Sequence, residues 1–177
     1  MNQKQHQLMR ILQKISVFQG LEISEAERLI RICRFHQYEE NERIYNVGQD
    51  SSEMLVLMQG KLLVVGPTGN VFGEVTPGQP TGEMGVFTGH GRSANIVSAV
   101  KSAALIIQKK DIDELLHQDW EIKSKVLQNV VDLLSKRLKE SNKLVAKYRT
   151  EVEELKAEVA EQGSQVAEDG SQIVEEG

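Results

Sequence analysis

Residues 53–75, EMLVLMQGKLLVVGPTGNVFGEV, decide the fold that this sequence predicts. The stretch holds three short apolar runs, which are separated by Gln59-Gly60 and by the segment GPTGN at 66–70. Gly, Pro and Asn favour tight turns, so each separator is predicted to close a hairpin. Similar runs recur about every ten residues from 42 to 108, a spacing typical of an all-β sandwich or roll. We therefore predict a β-roll over residues 41–118.

Helical patterns flank the predicted roll on both sides. Residues 1–40 are interpreted as the N-terminal helices of the domain, with one apolar face formed by Leu8, Ile11, Leu12 and Ile15. A second helix is predicted to start at Ser24, where Glu27 completes a capping box, and to keep its apolar face to Cys33. Helix is predicted again after Lys110, and a longer helix covers residues 119–162. The expected fold class is α+β, an antiparallel β-roll or jelly roll with flanking helices and a long C-terminal helix.

The long helix carries a seven-residue apolar repeat. Its seam positions follow one another in alternating steps of four and three, and only one of them is polar: Leu127, Val131, Leu134, Leu138, Ser141, Val145, Tyr148, Val152, Leu155 and Val159. This spacing is typical of a coiled coil and predicts a homodimer through residues 127–159. The alternative is one helix packed on its own domain, but 40 helical residues span ~60 Å and outrun a domain of this size.

Residues 163–177 form an acidic repeat. Gly163, Gly170 and Gly177 lie seven apart, and each glycine costs a helix ~1 kcal/mol. We expect this tail to be flexible. Residues 149–177 carry two basic and nine acidic side chains, so the rest of a chain with net charge −5 is close to neutral.

Composition argues against several classes of protein. The net charge of −5 gives no reason to expect nucleic-acid binding. The single cysteine, Cys33, allows no disulfide within the chain, which suits a reducing compartment. The N-terminus has no signal-peptide pattern, and no apolar run approaches the ~20 residues of a membrane span. We expect a cytoplasmic protein without membrane insertion.

Chemical motifs for catalysis are also missing from the sequence. The four histidines share no metal-ligand spacing, and the chain has neither a nucleophile–base motif nor a Walker loop. We therefore expect a non-catalytic protein without a metal or a cofactor.

The segment TGEMGVFTGHGRSA, residues 81–94, offers the groups that a nucleotide needs. Gly82 permits a close backbone approach, and residues 84–87 are predicted to form a helical turn whose free N–H groups favour an anion. Arg92 adds a forked cation that suits phosphate oxygens. Glu83 would repel an anion unless the ligand also presented a hydroxyl donor, as a ribose does. Together these groups predict a nucleotide ligand.

At these residues the sequence resembles the cyclic nucleotide-binding domain family, which includes bacterial catabolite activators and the regulatory subunits of cyclic-nucleotide-dependent kinases. The family's phosphate-binding cassette is matched in order by Gly82-Glu83, Met84-Gly85-Val86, a loop from Phe87 to Gly91, and Arg92-Ser93-Ala94. The resemblance implies that Glu83 takes the ribose 2′-hydroxyl and that Arg92 pairs with the cyclic phosphate. It covers roughly residues 10–145, with supporting matches at residues 17–21, Gly48, Asp50 and Gly60.

Two features depart from the family pattern. Thr81 stands where the family often has an aromatic or aliphatic residue, and residues 88–91 are rich in glycine. A second Phe-Gly-Glu, at residues 72–74, is rejected as the cassette because no Arg-Ser-Ala follows it at the cassette's distance. In relatives, a strand residue at this position packs against the base, so Phe72 is expected to do the same.

The resemblance also implies how the base is recognised. In the catabolite activators, two adjacent polar residues of the long helix contact the base, one from each protomer, and Ser141 and Asn142 fall at those positions. Ser141 is the polar break in the seam, so a register-setting residue without a ligand is the alternative. The residues do not separate adenine from guanine. We favour cAMP and keep cGMP, because Ser93 suits both.

These expectations combine into a dimeric sensor that binds a cyclic nucleotide and signals in trans to an unknown protein partner. No helix-turn-helix follows the long helix, so direct DNA binding is not expected. The alternative is a non-catalytic dimeric scaffold with a degenerate nucleotide site, which recruits its partner through the coiled coil. Glu83 and Arg92 would then be a surface ion pair, worth ~0–1 kcal/mol.

Overall fold

The computed structural model describes residues 15–175, and the side chains of 15–157, 159 and 160. After a 3₁₀ turn at Ser16–Phe18, its elements follow in this order: α1 (Ile23–Arg31), β1 (Cys33–Tyr38), β2 (Arg43–Tyr45), β3 (Glu53–Gln59), β4 (Leu62–Val65), β5 (Val71–Val75), β6 (Pro80–Thr81), α2 (Glu83–Thr88), β7 (Asn95–Ser98), β8 (Ser102–Gln108), α3 (Lys109–Gln118) and α4 (Trp120–Glu175).

The strands form two four-stranded antiparallel sheets. One has the order β1-β8-β3-β6 and the other the order β2-β7-β4-β5. The buried side chains of both sheets make one core, which comprises Tyr38, Tyr45, Leu55, Leu57, Leu62, Val75, Ile96, Ala104 and Ile106. This architecture confirms the predicted α+β fold with an antiparallel β-roll, flanking helices and a long C-terminal helix.

Of the two hairpins predicted in residues 53–75, only the one between β4 and β5 forms, because the turn at Gly60 joins β3 of one sheet to β4 of the other. Gly60 has φ +96°, and a methyl group built there would lie 2.2 Å from Oγ of Ser102. In the turn between β4 and β5, the Gly66 N–H donates to the Asn70 carbonyl at 2.8 Å. The hairpin predicted at 66–70 is therefore confirmed, and the hairpin predicted at Gly60 is wrong, because β3 pairs with β8 and β4 pairs with β5 and β7.

The N-terminal region differs from the sequence prediction in two respects. Helix α1 begins at Ile23, and its capping box pairs Glu22 with Glu25 instead of Ser24 with Glu27. The segment from Cys33 to Tyr38, placed among the N-terminal helices by its sequence, is strand β1, which pairs antiparallel with β8. Four of its six side chains are exposed, so the sequence lacks the apolar alternation that predicts a strand. Its extended conformation follows from pairing with β8. The predicted helix face at Leu8, Ile11 and Leu12 lies outside the described residues.

Helix α4 begins against α1. Asp119 caps it by accepting hydrogen bonds from the amides of Glu121 and Ile122, both at 3.0 Å. The bond from Ile122 lowers the pKa of Asp119, and the ion pair with Arg28 of α1 lowers it further. Lys125 of α4 pairs with the buried Glu25 of α1 at 2.8 Å. These contacts fix the first turns of α4 on the roll's own unit.

The chain divides into two compact units, with the boundary between Leu133 and Leu134. In the first unit α4 buries Ile122, Val126, Val130 and Leu133. The second unit is the remainder of α4, which is helical to Glu175 and so continues past 162, the end predicted for the coiled-coil helix. The flexibility expected for residues 163–177 stays a prediction. Within the described residues, no helix is long and apolar enough to cross a membrane.

Candidate functional site

The segment of residues 81–94 is built around the short helix α2. Strand β6 ends at Thr81, and Gly82 turns the chain into the helix with φ +83°. Gly89 ends the helix with φ +75°, and its N–H donates to the Gly85 carbonyl. Both angles belong to the left-handed region that glycine adopts readily, so the two glycines bound the helical turn that the sequence predicts.

Two ionisable side chains of this segment are buried. Glu83 is 1% exposed and Arg92 is 8% exposed. Charged groups are seldom buried to this degree unless they are paired. A surface ion pair would leave both side chains exposed, so the burial argues against that alternative.

The main chain of Arg92 is held by the loop that follows β2. Its N–H donates to the Gln49 carbonyl, and its carbonyl accepts from the Gly48 N–H, both at 2.8 Å. The next buried polar residue, Asn95, accepts from the Val47 N–H at 3.0 Å and donates to the Gly66 carbonyl at 3.3 Å. The C-terminal end of the segment is thereby tied to two neighbouring loops.

The guanidinium of Arg92 lies on the ring of Tyr45, with Cζ 3.5 Å from the ring centroid. A methyl group built at Gly82 would lie 2.3 Å from Nη1 of Arg92 and 3.3 Å from the Tyr45 ring. The absence of a side chain at Gly82 therefore makes room for the guanidinium. Burial raises the pKa of the Tyr45 hydroxyl, and the nearby Arg92 charge opposes that rise.

Several buried polar atoms here lack a hydrogen bond of normal geometry to any described residue. They are Nη1 of Arg92 and the hydroxyls of Tyr45 and Ser51. Ser51 packs against α2, since a methyl group at Gly85 would lie 2.0 Å from its Oγ. Unpaired buried polar groups are uncommon in folded proteins, and a ligand with polar groups is one way to satisfy them.

The structure brings some of the predicted site residues together and leaves others apart. Glu83, Gly85 and Arg92 are buried around α2, and the half-buried Gly82 lies against the Arg92 guanidinium. At the edge of this cluster, Met84 is 48% exposed, Ser93 is exposed and Ala94 is half-buried.

Phe72, predicted to meet the base, lies on β5. It is 60% exposed, and its ring covers Gly66 in the adjacent turn. Ser141 and Asn142 are exposed on α4 in the second unit. The roles given to these three residues remain predictions.

Sequence reasoning missed Tyr45, Asn95 and Lys109. Lys109 Nζ donates to the Val86 carbonyl of α2 at 2.6 Å, which links this helix to the start of α3. Asn95 alone gave a local signal, as the polar first residue of an apolar strand.

Among the described residues, no group of three His, Cys, Asp or Glu side chains is arranged to hold a metal ion.

Comparison with known proteins agrees with this geometry. The model of the family described as "Cyclic nucleotide-binding domain" matches residues 35–119, which contain α2, Glu83 and Arg92. Residues 35–119 belong to the cyclic nucleotide-binding domain family. The family resemblance seen in the sequence is thereby confirmed for this domain.

Among curated proteins, the domain is similar to the cyclic nucleotide-gated channel beta-1 of Homo sapiens. The two are 26% identical over 117 residues, a match that covers 60% of this chain and 9% of the channel protein. The chain covers 15% of uncharacterised NTE family proteins of mycobacteria, to which it is 25% identical over 85 residues. It thus spans a small part of the curated relatives it matches.

Solved structures share the fold. A cyclic nucleotide-binding domain from Methylobacillus flagellatus matches with a TM-score of 0.69 and 22% identity, over 78% of this chain and 80% of that one. The regulatory domain of Toxoplasma gondii PKA, solved with cAMP, matches with a TM-score of 0.58 and 18% identity, over 65% and 46%. At these identities the likeness establishes the fold of the cyclic nucleotide-binding domain.

Proposed function

We propose that this chain is a sensor that binds a cyclic nucleoside monophosphate at residues 81–94. The observation that carries the proposal is the burial of Glu83 and Arg92 at the two sides of α2. Arginine stays protonated in proteins, so a buried guanidinium with an unpaired nitrogen is suited to an anion. The family to which residues 35–119 belong supplies the class of anion.

Each residue of the cluster has a role in this proposal. Arg92 pairs with the cyclic phosphate, and Glu83 accepts the ribose 2′-hydroxyl. The sugar-phosphate lies against the backbone of Gly82, Met84 and Gly85. The two glycines carry no side chain that could obstruct it. Ser93 and Ala94 add a hydroxyl and an amide at the exposed edge.

Phe72, Ser141 and Asn142 are proposed to contact the base, with Ser141 and Asn142 contributed by different protomers. We favour cAMP as the ligand, and the Toxoplasma gondii relative was solved with cAMP. Guanine remains compatible with the Ser93 hydroxyl, so cGMP is the second ligand to test.

We further propose that α4 joins two copies of the chain. Its seam residues Leu138, Val145, Val152 and Leu155 are 48% to 62% exposed, and they repeat at coiled-coil spacing. A second copy of the same helix would cover this apolar line. The dimer would act in the cytoplasm on an unidentified protein partner, without enzymatic activity and without contacting DNA itself.

A scaffold that binds no nucleotide is the second candidate. The exposed seam favours it, because this surface does not depend on residues 81–94. The two candidates differ in ligand-dependent stability, since a ligand that binds only the folded chain raises its melting temperature. A rise with cAMP or cGMP supports the sensor, and no change with either supports the scaffold.

Calorimetric titration of the purified chain with cAMP and with cGMP tests the ligand directly. Replacing Arg92 with Gln should weaken binding by at least about thirtyfold, because truncating one partner of a buried charge pair costs about 2–5 kcal/mol or more. Arg34→Gln is the matched control, since Arg34 is exposed on β1. An equal affinity for Arg92→Gln and Arg34→Gln would contradict the role of Arg92.

Sedimentation equilibrium tests the dimer. Val145→Lys places a charge in the seam and should shift the chain towards monomers. Ala146→Lys is the matched control, since Ala146 is the exposed next residue outside the seam. A monomeric wild-type chain, or equal dimerisation of both variants, would contradict the proposed interface.

A further inference from the structure

The aromatic ring of Tyr45 is the surface on which the key cation of the site rests. Tyr45 is the last residue of β2 and is 4% exposed, and Cζ of Arg92 lies 3.5 Å from its ring centroid. The face of an aromatic ring is negative and attracts a cation, more strongly when both are desolvated. Since Nη1 of Arg92 has no hydrogen bond of normal geometry among the described residues, the ring is a principal contact for this charge.

The main chain beside Tyr45 strengthens the same attachment. Gly48 and Gln49, in the loop that begins directly after β2, form the two hydrogen bonds that hold the backbone of Arg92. One end of one strand therefore fixes both the backbone and the guanidinium of Arg92. A group held in this way before the ligand arrives loses less conformational freedom on binding.

We propose that Tyr45 is a positioning residue of the nucleotide site, whose ring sets the orientation of the Arg92 guanidinium and thereby the affinity for the phosphate. The inference rests on the proposed function of residues 81–94. The ring is assigned this role because the guanidinium lies over its face, and Tyr45→Phe tests whether the hydroxyl, which also lies close to Arg92, contributes. Tyr45 also belongs to the core of the roll, so its effect on stability has to be separated from its effect on binding.

Four single variants make that separation, and calorimetric titration with cAMP and cGMP is the measurement. Tyr45→Phe keeps the ring and should bind within about twofold of wild type. Tyr45→Leu and Tyr45→Met remove the ring and should weaken binding by about 3- to 30-fold, the range of a buried cation–π contact. Tyr38→Leu is the matched control, since Tyr38 lies in the same core and should lose stability without losing affinity.

A double-mutant cycle then shows whether Tyr45 acts through Arg92. In an Arg92→Gln background no cation rests on the ring, so Tyr45→Leu should change the remaining affinity by less than about twofold. A competition assay with a fluorescent cyclic nucleotide measures these weaker affinities. Urea unfolding of every variant identifies any variant that fails to fold. If Tyr45→Leu fails to fold, Tyr45→Met replaces it as the variant without the ring.

The outcomes distinguish this inference from the proposed function. Wild-type affinity in Tyr45→Leu and Tyr45→Met overturns the inference. It is also overturned if Tyr45→Leu lowers affinity as much in the Arg92→Gln background as in the wild type, or if Tyr45→Phe lowers affinity as much as Tyr45→Leu. In each of those cases the wild-type chain still binds its nucleotide, and the proposed function stands. A wild-type chain that binds neither cAMP nor cGMP overturns both.

Discussion

Replacing Gly82 with alanine should damage nucleotide binding more than it damages the fold. Gly82 has φ +83°, and a residue with a side chain pays roughly 1–2 kcal/mol in this left-handed region. The new methyl group would also lie 2.3 Å from Nη1 of Arg92 and 3.2 Å from the Glu53 carbonyl oxygen. The carbonyl belongs to a paired strand, so the guanidinium is the group that moves, by about 1 Å, to restore van der Waals contact.

Such a displacement lifts Arg92 from its place on Tyr45. We expect the affinity for cyclic nucleotide to fall at least about tenfold, since an error of about 1 Å in a positioned group is costly. Gly69→Ala is the matched control. Gly69 has φ +88°, so the backbone penalty is the same, but no atom lies within 4 Å of the position of its methyl group.

Urea unfolding and calorimetric titration with cAMP and cGMP, applied to both variants, provide the assay. Both should lose ~1–2 kcal/mol of unfolding free energy from the backbone, Gly82→Ala somewhat more because it displaces Arg92, and only Gly82→Ala should lose affinity. If Gly82→Ala binds as tightly as Gly69→Ala, the close approach of Gly82 to Arg92 is irrelevant to binding. If both lose affinity equally, binding reports general stability and the reasoning fails.

Three further predictions concern the roll. Gly60→Ala should lower the midpoint of urea unfolding more than Gly69→Ala does, because its methyl group would lie 2.2 Å from Oγ of Ser102; equal midpoints would count against this packing. Burial raises the pKa of Cys33 to about 12, so a disulfide reagent at mildly alkaline pH should label the folded chain far more slowly than the urea-unfolded chain. Equal labelling rates would show that the folded chain has an accessible thiolate. The free energy of unfolding should fall as pH rises from about 9 towards 12. The unfolded chain releases the Cys33 and Tyr38 protons near 9.0 and 10.0, whereas burial raises the pKa of both groups in the folded chain to about 12. A flat profile over that range would contradict the burial of these groups.

The elements that sequence predicts best are those with a local cause. The chain turn at Gly60, the hairpin turn at 66–70 and the glycine-bounded helix α2 follow from backbone preferences that the residues themselves carry, whereas the strand partners of β3 do not, and the hairpin predicted at Gly60 is wrong. The start of α4 at Trp120 lies one residue from the predicted start at 119, because the helical pattern begins there without a breaker. The cassette was placed by its resemblance to a family motif; the family match over residues 35–119 contains it, and the roles of its residues stay predictions.

Elements that depend on distant contacts were missed. Strand β1 has an exposed, irregular pattern, and only its pairing with the apolar β8 makes it a strand. Tyr45 is separated from Arg92 by most of the roll's sequence, and nothing local shows that its ring lies under that guanidinium. Glu22 caps α1 because Glu25, held by Lys125, is in place to complete the box.

The central claim is that Arg92 and Glu83 together hold a cyclic nucleotide. A crystal structure of the chain grown with cAMP tests it most directly. We predict cyclic phosphate oxygens at about 2.7–2.9 Å from the guanidinium nitrogens of Arg92, with the ribose 2′-hydroxyl on the Glu83 carboxylate. A nucleotide bound elsewhere, or crystals in which the Arg92 guanidinium contacts only protein at saturating cAMP, would contradict the account.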